Sequence, residues 1–87
     1  MTKREIEVIR AELEFIYNTF GEKEQRIKLV EECNEYIESL KDEEIADLAV
    51  LSFQFILCHD NVREIFTQKL KRTMDRIDSN FYGKDGD

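Results

Sequence analysis

The chain has 87 residues, with 13 Lys and Arg against 20 Asp and Glu, a net charge of -7, 41% hydrophobic residues and no proline. That length sets a single domain with a small core, because a chain of this size buries only about 60 to 65% of its unfolded surface. The acidic balance speaks against nucleic-acid binding, which requires a basic face, and no apolar run approaches the roughly 20 residues of a membrane span.

Thr2, three residues before Glu5, forms a capping-box pattern at the start of the chain. Ile6, Ile9, Leu13, Ile16 and Phe20 then recur at three- and four-residue steps, which predicts a helix that Gly21 ends. A second helix is expected from about Lys23 to Ser39. After a short turn over residues 40–42, with Asp42 as the expected N-cap, a third begins. His59, Asp60 and Asn61 break the apolar run, and Asn61 with Glu64 is a capping pattern for a fourth helix, which packs through Val62, Ile65, Phe66, Leu70, Met74 and Ile77. His59 itself reads as a cap or a surface group. The tail SNFYGKDGD has two glycines and little to bury, so fraying is expected there. There is no alternating strand pattern, repeat or linker. The fold class is therefore all-α, a four-helix bundle, with one domain over residues 1–79 and a C-terminal tail over 80–87.

Met1-Thr2-Lys3-Arg4 runs straight into a charged helix with no cleavable signal, and Cys33 and Cys58 are unclustered and lie on apolar helix faces. Both features point to a cytoplasmic protein whose cysteines are reduced core residues.

The chemistry concentrates between Leu29 and Gln54. On the second helix Leu29, Val30, Cys33, Tyr36, Ile37 and Leu40 form an apolar stripe at about 100° per residue, with Glu31, Glu35 and Glu38 opposite and Glu32 at the border. The third helix, IADLAVLSFQFILC, is apolar around most of its circumference, so it is expected to be buried on several sides and to favour association with a second copy. Asp47 is its only charge. An ionised carboxylate in such surroundings needs a partner or a metal. Glu31-Glu32-x-x-Glu35 and Glu44-x-x-Asp47 lie at helical spacing on consecutive helices, and a tight antiparallel turn brings them face to face. Five carboxylates that close repel one another unless protons or a divalent cation compensate them, and Mg²⁺, or Mn²⁺ in its place, suits an all-oxygen donor set.

Charge is also distributed unevenly. Residues 1 to 60 carry seven Lys or Arg against fifteen Asp or Glu, and residues 61 to 79 carry five against three, so the fourth helix is the basic counterpart of an acidic body. Lys69, Arg72 and Arg76 follow steps of three and four and share a face, either to hold an anionic group or as a solvated stripe paired with the acidic helices. Gln25 and Lys28, one and two turns before the first motif, either reach a base or phosphate or are plain surface groups.

The ordered pair LVEECNEYI and EEIADLAVL resembles the all-α nucleoside triphosphate pyrophosphohydrolases, the MazG-like family, and most of all its short single-domain phage and bacterial members. Phe20-Gly21 and Gln25 lie at a familiar distance before the acidic motif, KLKRTMDRI is similar to the family's last helix, and the likeness covers most of residues 15–78. One departure is that only eight residues separate Glu35 from Glu44, fewer than is usual there, which sets the site close to the hairpin end. The resemblance implies Mg²⁺-dependent hydrolysis of a (d)NTP between its α- and β-phosphates, giving the monophosphate and pyrophosphate. Matching the motif assigns Glu32, Glu35, Glu44 and Asp47 to the metal. Glu31 is then a further ligand or, with Glu32, the group that orients and deprotonates water, while Gln25, Lys28, Lys69 and Arg72 contact substrate. A homodimer or homotetramer is expected. Two alternatives remain at this level: a phosphoribosyl-ATP pyrophosphatase, which shares the motif pair, and a non-enzymatic acidic helical module that binds a basic partner.

Overall fold

In a computed structural model, residues 1–79 are described; the expected fraying of the tail over 80–87 lies outside them. Four helices and no strand are present among the described residues: α1 (Lys3–Phe20), α2 (Glu22–Ser39), α3 (Asp42–Cys58) and α4 (Asp60–Asp78). The protein is an all-α helical bundle. Among the described residues no single helix is long and apolar enough to cross a membrane.

Each boundary has a local cause. The capping box forms, with the Glu5 amide donating to Thr2 Oγ1 at 3.1 Å and the Thr2 amide to Glu5 Oε1 at 2.9 Å. Gly21 stands at φ 88°, ψ 159°, a region almost reserved for glycine, and so serves at once as the C-cap of α1 and the N-cap of α2. Leu40 closes α2 in the left-handed conformation at φ 55°, ψ 32°, which lets its amide reach Tyr36 O at 2.8 Å. Lys41, not Asp42, is the N-cap of α3, and Asp42 becomes its first residue; the turn is thus one residue tighter than the capping preference suggested.

The corner between α3 and α4 turns by 107° at the single residue His59. Capping there falls to His59 rather than to Asn61: the Val62 amide donates to His59 Nδ1 at 3.3 Å. The ring proton is therefore on Nε2, which faces Glu22 Oε1 at 3.2 Å. Arg63 Nη1 donates to Leu57 O at 2.8 Å, capping the last carbonyls of α3 from the first turn of α4. Phe55 lies beneath this corner, 5.5 Å from the Tyr17 ring in an edge-on arrangement and 5.1 Å from the Arg26 guanidinium above its face. α1, α2 and α3 meet at this knot, beside the corner from which α4 departs.

α3 is the hub, packing against each of the other three helices, whereas α4 packs on α3 alone. The radius of gyration, 16.0 Å, exceeds the roughly 12 Å of a compact chain of this length, because α4 stands off the α1–α3 body. The core is correspondingly small: Leu13, Leu51 and Phe55 are its buried apolar side chains among the described residues. Val30 and Ile37 of the predicted α2 stripe, and Leu70 and Met74 of α4, are more than half exposed. Cys58 is half-buried as expected of a core thiol, but Cys33 is exposed, since its stripe on α2 has no helix packed over it.

Leu51→Ala should cost about 2–5 kcal/mol in urea unfolding, as a truncation at the centre of the core. Leu40→Gly should instead raise stability by up to about 1 kcal/mol, because an exposed leucine holds a backbone conformation that glycine adopts without strain.

Candidate functional site

α1, α2 and α3 enclose a cavity of about 370 Å³. Ile16 and Phe20 of α1, Ile27 of α2 and Val50 and Leu51 of α3 form its apolar walls, while Glu31, Glu32 and Asp47 bring carboxylates to it from two helices. Lys28 and Gln25 also line it, so five of the ten residues singled out in the sequence share one cavity. Glu35 and Glu44 do not line it; Glu35 feels Glu32 and, across the α2–α3 turn, Glu44.

Burial is arranged differently from the pattern expected of the sequence. Asp47 is exposed, at the rim of the cavity, because the first half of α3 has a partner on one side only: Ile45, Val50 and Phe53 beside it are about half exposed as well. The carboxylate that carries the burial cost is Glu32, at 6% exposure. Its border position on the α2 wheel is the edge that turns into the α2–α3 seam. Lys28 Nζ stands 3.4 Å from Glu32 Oε1, and that neighbouring carboxylate, with Glu31 and Glu35, raises the lysine above its ordinary range and keeps it charged. Glu32 Oε2 is buried and meets no donor, and Glu44 Oε2 is in the same state. An ionised oxygen without a donor in such a place is costly.

Glu35 responds to that strain. Hydrogen bonding to Glu32 and the Glu32 charge lift its carboxyl above the ordinary glutamate range; some loss of hydration and Glu44 add to the effect and Lys28 opposes it. A hydrogen bond between two carboxyl groups requires a proton on one of them. A proton on Glu35, or a cation between the helices, is what the orphaned oxygen lacks.

The donor set suits a hard divalent cation, being all carboxylate oxygen with two buried oxygens unsatisfied. As the side chains stand, no three Asp, Glu, His or Cys groups among the described residues are gathered closely enough to hold an ion. Glu32 and Glu44 each have a buried oxygen that could accept one. Glu35 and Asp47, both exposed, are the ligands that would turn inward.

Gln25 is buried, where the sequence left open a surface role, and its Nε2 donates to Gln54 Oε1 at 2.8 Å. Gln54 was missed as a site residue. The signal for it was a lone amide in an otherwise apolar stretch, which in a core must find a partner. Lys69 and Arg72 are not brought to the carboxylates: they line a separate groove along α4 with Ile65 and Gln68. Arg76, half-buried on the same helix, is the least exposed of that basic row.

No family model, curated protein or solved structure matches the chain significantly.

The raised Glu35 carboxyl has a pH signature. Since the folded protein binds this proton more tightly than the unfolded chain, its contribution to stability is full at low pH and is lost as pH rises from about 4.5 through the raised value. Glu35→Gln should remove that decline and increase the thermal midpoint at pH 7, measured by circular dichroism from pH 4 to 8 without divalent metal.

Proposed function

We propose that this chain is a Mg²⁺-dependent nucleoside triphosphate pyrophosphohydrolase that cleaves a (d)NTP between its α- and β-phosphates, NTP and water giving NMP and pyrophosphate. The observation that carries the reading is Glu32, nine-tenths buried with an orphaned oxygen, at the wall of a cavity that Glu31 and Asp47 also reach, with the equally orphaned Glu44 acting on the Glu35 that Glu32 perturbs. A hydrophobic seam does not retain such a group for packing alone.

Glu32, Glu35, Glu44 and Asp47 would hold Mg²⁺, or Mn²⁺, which when bound neutralises phosphate charge and lowers the pKa of a coordinated water. Glu31, exposed at the cavity edge, is free to orient the attacking water and take its proton. Lys28 pairs with Glu32 in the absence of substrate and, lining the cavity, would meet a phosphate there. The cytoplasm suits an exposed free thiol such as Cys33.

A second copy belongs to this reading. α4 leaves the body with Ile65, Leu70 and Met74 about half exposed, and Lys69 and Arg72 beside them. Its basic face complements the acid-rimmed cavity, and a homodimer or larger homo-oligomer lets the α4 of one chain serve the site of another.

With Mg²⁺ present, pyrophosphate release from a panel of canonical and modified NTPs and dNTPs should be detected, and EDTA should abolish it. Glu32→Gln and Asp47→Asn should each lower kcat by about 100- to 1,000-fold. Metal-independent release, or none from a folded protein, defeats the proposal. Chains carrying Glu32→Gln and chains carrying Lys69→Ala with Arg72→Ala, each inactive alone, should recover activity when refolded together. Recovery absent from an oligomer confirmed by light scattering would place α4 outside the partner's site.

A further inference from the structure

The cavity holds a second recognition element that the carboxylate chemistry does not use. Gln54 is fully buried and Gln25 is 6% exposed, and both line the cavity. Their orientation follows from one fixed group. The Val50 carbonyl can only accept, so the amide nitrogen of Gln54 faces it, at 3.1 Å. Gln54 Oε1 is thereby turned towards Gln25, which must meet it with its own nitrogen, at 2.8 Å. What remains at Gln25 is its carbonyl oxygen and, beside it, the second N–H of its amide. Among the described residues no donor of the chain meets that oxygen. A backbone carbonyl on α3 thus orients, through two amides, a Gln25 side chain that keeps an acceptor and an adjacent N–H for a ligand in the cavity.

A polyanion has no place there, since phosphates belong at the rim with Lys28 and the metal ligands. A flat, largely apolar ring whose edge carries an N–H does, because it buries its faces against Phe20, Ile27 and Leu51 while its edge satisfies the acceptor. We infer that the Gln25–Gln54 pair is the nucleobase site of this protein, with the Gln25 carbonyl oxygen accepting an N–H from the base edge. The inference rests on the nucleotide reading for the phosphate end of the ligand, but not on hydrolysis.

The test follows the side-chain NH₂ signals of Gln25 and Gln54 by ¹⁵N NMR while UMP, CMP, AMP and GMP are titrated in turn into the metal-free full chain. At least one nucleotide should shift both pairs of signals, and its analogue methylated on the donating nitrogen should bind about 10- to 100-fold more weakly. The double variant Gln25→Met with Gln54→Met removes both polar partners together, which preserves folding better than either change alone. It should keep its helical circular dichroism and bind parent and methylated nucleotide alike. Silent amide signals with all four nucleotides overturn the inference, as does equal binding of parent and methylated ligand by the unmodified chain. Hydrolysis assays separate the two ideas. Responsive amides without turnover of any triphosphate leave the base site standing and sink the pyrophosphohydrolase, and turnover with silent amides does the reverse.

Discussion

The constraint on which the rest of the site depends is the burial of Glu32 in the seam between α2 and α3. Its Oε1 has one partner, Lys28 at 3.4 Å, and its Oε2 has none. Two further carboxylates, Glu35 and Glu44, stand close enough to feel its charge or one another's. The arrangement is therefore unbalanced by position rather than by composition: the chain is rich in carboxylates up to α4, yet most of them are solvated and cost little. Only where a helix border turns into a seam does charge become expensive, and there a proton or a cation has to answer it.

α3 makes that seam by being shared. Its Leu51 and Phe55 form the core with Leu13, its Gln54 is tied to α2 through Gln25, and its last carbonyls are capped by Arg63 of α4. The knot of Tyr17, Arg26, Phe55 and His59 clamps one end of the bundle, and the one-residue corner at His59 sets the direction of α4. The carboxylates occupy the opposite, hairpin end, where Leu40 holds a left-handed turn and α3 is only partly covered. Rigidity at one end and openness at the other place the cavity where a ligand can enter.

The single chain leaves much apolar surface in water, including most of the α4 stripe. The usual remedy in so short a chain is association, because its own core cannot grow. In this molecule the same remedy would join the two halves of its chemistry, since acid and base lie on separate surfaces of one copy. On the proposed reading, function and stability have a common requirement.

The order of four helices, their amphipathic spacing, the capping box at Thr2 and the break at Gly21 were all legible in the chain, because each depends on residues within a few positions of one another. The presence of two carboxylate motifs at helical spacing was legible for the same reason. Which carboxylate is buried was not. The wheel pointed to Asp47, surrounded by apolar neighbours along its own helix, but burial is conferred by other helices, and these cover Glu32 and leave Asp47 at a rim. Gln54 was visible only as an interruption, and its partner, 29 residues away in sequence, is identified by packing alone. The sequence by itself determined the elements and the kinds of group they carry; the tertiary structure decided which of those groups lose their water, since desolvation depends on what lies across the seam and not on what lies next in the chain.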